Sequence, residues 1–337
     1  MNNFKKIGLT ALAASLVSTS VFAGELTATG TASLTAEGVS GEQIEGAGNT
    51  AFSMNNSVNF NGSTELDNGM TVSMSFELDQ GAADGTQTAG QLTSDGGVFD
   101  SHSVTISSDA LGTITFAGHG GSSAASALDT TAAGDMWDAF DGEGNGADAV
   151  AVSDSGPGNN SMFYTLPSMV DGLSVSASYK PRGTGRASAT GFSGTYTGVE
   201  GLSVSYGVTD IETGVAITSG DQTVMKASYA YGPVTVAYSN SEYDEASTAD
   251  NDDDQETTSY NISYTVSDAI SVSYGTEEIS NGNTTSTQDA EYDGIKASYT
   301  SGGMTISASM MNGDNTTYTT ASTEDLEYWG LGLSFAF

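Results

Sequence analysis

No cysteine occurs anywhere in this chain. Disulfides therefore contribute nothing, and an exported protein built this way must draw its stability from a large hydrogen-bonded structure. Basic residues are nearly as scarce, seven Lys and Arg against 42 Asp and Glu. That deficit excludes nucleic acid as a partner, because phosphate binding needs Lys and Arg to displace counterions, and it favours cationic partners. There are two histidines, His102 and His119, in different segments, and no nucleophile motif or phosphate loop accompanies them. A catalytic site must be argued from named groups that converge, and none do, so the chain is not an enzyme. Long apolar runs are missing as well. The longest, Ile7 to Val17, is shorter than the about 20 residues that a membrane-spanning helix requires.

That run follows Lys5 and Lys6 and is followed by the small-residue site Val21-Phe22-Ala23. Residues 1–23 have the layout of a cleaved secretory signal peptide, leaving residues 24–337 as a single exported domain. Without Lys5 and Lys6 the formal charge becomes two units more negative than the −35 of the full chain.

What is present is alternation. In GLSVSASYK, Leu173, Val175, Ala177 and Tyr179 occupy one face and Ser174, Ser176, Ser178 and Lys180 the other. LSVSYGV and ISVSYG repeat the pattern. Period 2 is the mark of strands with two unlike faces, and no helical period of comparable length competes with it. Sixteen strands are expected, over 26–37, 50–66, 69–80, 99–108, 111–118, 161–166, 172–181, 190–199, 201–210, 221–231, 232–243, 255–266, 269–279, 289–300, 302–313 and 325–337. Their connections alternate. LDNG, SDAL, PSMVDG, GVEG, YGP, VSDA and TSGG are short, whereas those between, such as DEASTADNDDDQ, are long and acidic.

Sixteen amphipathic strands suit either a soluble sandwich with an apolar core or a membrane barrel with apolar residues facing lipid. The barrel is favoured. The second face is Ser, Thr, Gly and charges, the strand number is even, the turns are short on one side only, and no solenoid period recurs. Aromatic residues near strand ends, Tyr164, Tyr179, Tyr231, Tyr243, Tyr299 and Tyr328, suggest an interfacial girdle. The expected fold is all-β, a 16-stranded antiparallel transmembrane β-barrel.

The longest interval without strand pattern runs from His119 to Asn160, between LGTITFAG and SMFYTLP. Unstructured connections of this length tend to be functional. This one carries Asp129, Asp135, Asp138, Asp141, Glu143, Asp148 and Asp154 and no Lys or Arg. It is either an acidic surface loop or a segment folded into the space the strands enclose.

The last strand, DLEYWGLGLSFAF, ends on an aromatic carboxy-terminus. Together with LGTITFAGHGG before the long loop and NNSMFYTLPSMVDGLSVSASYKP after it, it resembles the Gram-negative general porins, particularly the alphaproteobacterial type. The resemblance covers the whole exported domain and implies an outer-membrane location, a homotrimer, contact with lipopolysaccharide, and a third long loop, here 119–160, that narrows the barrel. The chain departs from that pattern in lacking a PEFGG-like run and nearly all of an Arg-rich wall.

Candidate site residues follow from the faces. The constriction loop offers Asp129, Asp135, Asp138, Asp141, Glu143 and Asp148. Glu77, Asp79, Lys180, Lys226 and Lys296 point into the lumen by the alternation count, the lysines either lining the eyelet opposite the loop carboxylates or merely excluded from lipid. Arg182 and Arg186 belong at the pore mouth. Asp141, Glu143 and Asn145 match the opening positions of a calcium loop, although the twelfth position is Val152 rather than Glu; a solvated acidic turn is the other reading. No cofactor is required. Ala28, Gly30 and Ala32 are small outward positions, and Asn56 is a polar one, as a trimer interface would use. The expected function is passive diffusion of ions and small hydrophilic solutes with a preference for cations. The alternatives are a substrate-selective channel and a structural or adhesive barrel with a blocked lumen.

Overall fold

The structure, a computed structural model, describes residues 26–41, 49–80, 99–140, 159–181, 188–212, 219–246, 254–281, 288–316, 318 and 325–337. The leader expected at 1–23, and with it the start of the exported domain, lies outside them. All sixteen expected strands are present, none displaced at either end by more than four residues. The first eight are β1 (Leu26–Gly41), β2 (Asn49–Glu65), β3 (Thr71–Gln80), β4 (Ser101–Ser108), β5 (Gly112–His119), β6 (Ser161–Thr165), β7 (Leu173–Lys180) and β8 (Ser188–Tyr196). The second eight are β9 (Leu202–Glu212), β10 (Gly220–Tyr231), β11 (Val234–Glu245), β12 (Gln255–Ser267), β13 (Ile270–Asn281), β14 (Ala290–Ser301), β15 (Met304–Asp314) and β16 (Leu326–Ala336).

Each strand pairs antiparallel with its sequence neighbours, and β1 pairs with β16 to close the barrel. Closure removes the edges, which in a bilayer would leave unpaired N–H and C=O groups with no water to satisfy them. The seam is completed by the last residue: the N–H of Phe337 donates to the carbonyl of Gly30 at 3.0 Å, and the N–H of Gly30 donates back at 2.8 Å. The ring of Phe337 lies over Gly30, where a Cβ would stand 2.5 Å from it.

Register sorts the two faces. Outward positions carry the large exposed apolar residues, among them Phe192, Tyr206, Tyr260, Ile262, Tyr274, Ile295, Met310 and Leu331. Inward positions pair hydroxyls across the strands, as Thr105 with Thr115 at 2.9 Å, Thr195 with Ser205 at 2.8 Å and Ser271 with Ser298 at 2.8 Å. Ser and Thr on this face thus bind one another. Two of the tyrosines expected in the girdle are not there. Tyr328 pairs with Met311 and Val39, both buried inside the barrel, and its hydroxyl donates to Glu37. Tyr243 pairs with the buried, inward Gln222. Both sit in the inward phase of their strands, which nearness to a strand end does not reveal.

The apolar core is inside the lumen and off-centre. Val39, Ile279, Ala290, Tyr292, Met311 and Leu326 project from β1 and β13 to β16 and enclose Ala133, Met136 and Phe140 of the long loop. Phe140 stacks at 5.4 Å on Tyr292 and at 6.1 Å on Tyr328.

Gly30→Leu is expected to displace the Phe337 ring and to cost about 1–3 kcal/mol through the two strained hydrogen bonds, lowering the temperature at which the folded species disappears on unheated-versus-heated gel electrophoresis. Gly62→Ala is the control, since its Cβ would meet only Leu26 at 3.8 Å.

Candidate functional site: a loop bound to the inner wall

The connection after β5 begins at the inner wall and, through residue 140, stays on it. A loop that leaves water must find partners for its backbone N–H and C=O groups, and here inward side chains of successive strands supply them. The N–H of Ala124 donates to Ser178 Oγ on β7 at 2.8 Å and that of Ala125 to Thr209 Oγ1 on β9 at 3.1 Å. Farther along, Ala132 donates to Ser239 Oγ on β11 at 2.8 Å and Ala133 to Ser259 Oγ on β12 at 3.0 Å. Asn261 Nδ2, also on β12, donates to the Ala132 carbonyl at 2.9 Å. Inward glycines make the approach possible: a Cβ at Gly275 would stand 2.5 Å from Ala133 Cβ, and one at Gly207 would stand 3.1 Å from both the Ala124 carbonyl oxygen and Leu128.

The charged anchors follow the same rule. Glu277 on β13, 2 % exposed, accepts the N–H groups of Met136 at 2.8 Å and Trp137 at 3.2 Å, together with the hydroxyl of Thr131. Those N–H groups open the single 3₁₀ turn Met136–Phe140 and have no partner within it. Three donors compensate a carboxylate that would otherwise be costly to bury. Lys226 Nζ donates to the Thr130 carbonyl at 2.5 Å, and Lys296 Nζ to those of Ala133 and Gly134 at 2.9 and 3.0 Å. Gly134 and Asp135 both have positive φ, 79° and 48°. The chain reverses there while the Asp135 carboxylate accepts the N–H of Thr131 at 2.9 Å and its own N–H donates to Thr131 Oγ1 at 2.8 Å. Beyond β15, Tyr318 packs on the same apolar cluster and accepts a hydrogen bond from Gln255 Nε2 at 3.0 Å. Burial pushes its hydroxyl up to about 12, so it stays protonated at physiological pH.

The loop therefore occupies one side of the lumen, from β7 round to β16. Glu37 on β1 is inward beside the loop, whereas the other side of the wall presents Glu77 and Asp79 on β3, also in the inward phase. Glu77 is oriented by Asn59 Nδ2 at 3.3 Å and Ser101 Oγ at 3.0 Å.

Of the residues singled out by sequence, Asp135 and Asp138 line one cavity with Glu37 and Lys296, and Asp129 lies on the wall-bound part of the loop. Lys226 and Lys296 point inward as expected, and their ammonium groups bind carbonyls of the loop, Lys296 from within the cavity that Asp135 and Asp138 line. Lys180 is inward, opposite Ala189 of β8. Asp141, Glu143, Asn145 and Asp148, and Arg182 and Arg186, lie outside the described residues. Among the described residues no three metal-ligating side chains converge. Alternation alone gave no reason to select Ser178, Thr209, Ser239 and Ser259 from the many inward hydroxyls. Glu277 and its neighbour Ile279 did carry a signal: a carboxylate and then a large apolar residue in a phase otherwise made of Ser and Gly.

Glu277→Ala strands two loop N–H groups and a hydroxyl, each at about 1–3 kcal/mol when left without a partner. The loop is expected to become a protease target between residues 120 and 140 while the barrel still assembles; mass spectrometry of the fragments checks this.

The model of the Gram-negative porin family matches residues 8–337. A search of curated protein sequences finds no match. Among solved structures, a double mutant of Rh. blastica porin superposes with a TM-score of 0.64 at 15% identity, covering 93% of this chain and 100% of that one. A triple mutant of Rhodopseudomonas blastica porin gives 0.63 at 17% identity, and a refined porin structure gives 0.63 at 20% identity, each with the same coverage of both chains. These similarities establish a shared barrel fold. The chain belongs to the Gram-negative porin family, whose members are outer-membrane channels rather than enzymes.

Proposed function

We propose that this porin passes small hydrophilic solutes and ions by passive diffusion and prefers cations, with the loop 119–160 as its constriction. The observation that carries this reading is the use made of the lysines. Lys226 and Lys296 direct their ammonium groups at loop carbonyls, and Lys296 is the one ammonium in a cavity that holds three carboxylates. Asp135 and Asp138 line that cavity together with Glu37, and Glu77 and Asp79 belong to the wall beyond it. Carboxylates on both sides of a water-filled passage, in low-dielectric surroundings, focus a negative potential and raise the local cation concentration. Asp141, Glu143 and Asp148 of the same loop, and Arg182 and Arg186 at the mouth, are assigned to the pore by sequence alone. A calcium ion at Asp141, Glu143 and Asn145 remains part of the proposal.

We further propose a homotrimer in contact with lipopolysaccharide, packed through β1 to β3. Ala28, Gly30 and Ala32 are outward and small; the Phe337 ring covers Gly30, and close approach is offered at Ala28 and Ala32. Asn56 stands directly opposite Ala32 in the outward register, where lipid offers its amide no partner and a neighbouring subunit does. Phe52 and Met54 of the same strand are among the most exposed large apolar residues, 71% and 54%.

Under a salt gradient across a planar bilayer, the reversal potential is expected to show cation preference and to shrink in concentrated salt, as the Debye length falls from about 10 Å at 0.1 M to about 3 Å at 1 M. Asp135→Asn with Asp138→Asn is expected to reduce it by about half or more; an unchanged potential sinks the constriction assignment. Absence of discrete conductance steps would instead favour the structural barrel with a blocked lumen.

Ala32→Trp is expected to convert detergent-extracted trimers to monomers, read by native mass spectrometry. A native protein that is already monomeric in membranes defeats the interface.

A further inference from the structure

Register places the loop and what lies beneath it at known heights. Toward the long loops, Glu277, Tyr292 and Leu326 form one inward row across β13, β14 and β16, and Gly275, Gly294, Met311, Tyr328 and Val39 form the next. These two rows carry the loop. The row below runs Ser273, Lys296, Ser309, Gly330, Glu37, and the one under it Ser271, Ser298, Ser307, Gly332, Thr35. Ser271 is one residue past the short turn into β13. Over the lower rows lies a cavity of about 520 Å³ roofed by Asp135 and Asp138. It is therefore on the short-turn side of the loop, which in such barrels is the periplasmic side.

The cavity's chemistry is lopsided. Three carboxylates, Glu37, Asp135 and Asp138, line it with one ammonium, Lys296, which already donates to two loop carbonyls. The Tyr328 hydroxyl is turned onto Glu37 at 2.9 Å. The opposite surface is a field of serine hydroxyls, kept open by Gly330 and Gly332, where a Cβ would come within 2.9 Å of Ser309 and 2.4 Å of Ser307. Acceptors exceed charged donors at one end, and hydroxyls that both donate and accept cover the other.

We propose that this cavity is a binding subsite for a small solute carrying a primary ammonium and several hydroxyls, the amino-sugar class, entered from the periplasmic side. The ammonium is held between Glu37 and Asp138 by charge-assisted hydrogen bonds, and the hydroxyls lie on the serine rows. The subsite rests on the constriction reading above, because it needs the loop as its roof.

The test uses the purified protein in planar bilayers. Glucosamine, at a pH where its amine is charged, is added to one side at a time and compared with N-acetylglucosamine, the same ring without the charge. Sidedness is read from labelling of Asp268→Cys by an impermeant thiol reagent; Asp268 lies in the short turn before β13, and the chain has no other cysteine. Glucosamine from the short-turn side is expected to interrupt the current at about tenfold lower concentration than N-acetylglucosamine. Glu37→Gln is expected to abolish the difference while leaving conductance steps in place. Equal potency of the two sugars, equal block from both sides, or block unaltered by Glu37→Gln overturns the subsite. Reversal potential in the same membranes keeps the two readings apart: retained cation preference without amine block defeats the subsite alone, whereas lost preference defeats the constriction.

Discussion

Every backbone polar group in this protein has to find a partner where water is absent or displaced, and that requirement shapes the structure twice. In the wall it demands a sheet without edges, so sixteen strands close on themselves and the final residue is tied to Gly30 in both directions. Inside, it governs the loop. A segment laid against a wall loses its hydration on one side, and Ser178, Thr209, Ser239, Ser259, Asn261, Glu277 and the two lysines restore what was lost.

The same economy explains the placement of the hydrophobic core. A membrane barrel turns its apolar residues to lipid, which leaves the interior nothing to collapse around. Here the loop brings in Met136 and Phe140, and the upper inward positions of β1 and β13 to β16 are apolar to receive them. The lower positions of the same strands are polar or Gly, chiefly Ser with Lys296 and Glu37 among them, so hydrophobic packing holds the loop at one height and leaves water-accessible space beneath it. Electrostatics are a by-product of the anchoring. Lys226 and Lys296 serve the anchoring by donating to loop carbonyls, and Lys296 does so from within the cavity that Asp135 and Asp138 line.

Much of the fold was legible because alternation is a local property. GLSVSASYK assigns its own faces, and the inward phase of Lys180, Lys226 and Lys296 follows from counting. The outward phase of Ala32 and Asn56 follows in the same way. Tyr243 and Tyr328 show the limit: proximity to a strand end was taken as evidence for the girdle, but phase decides which side a ring occupies. The site was legible only in outline. That an acidic interval of this length deserved a role could be read from 119–160, but the partners of its backbone could not.

The sequence by itself determined the class of protein, the number of strands, the two faces of the wall and the excess of carboxylates, because each depends on neighbours two residues apart or on composition. Tertiary structure alone decided which hydroxyls hold the loop, that Glu277 receives the opening of its 3₁₀ turn, and that two lysines bind the loop's carbonyls. Ala124 and Ser178 are 54 residues apart, Met136 and Glu277 are 141, and Ala133 and Lys296 are 163. Contacts over such separations form when closure of the barrel sets the heights of all strands at once, and no single strand's pattern contains that information.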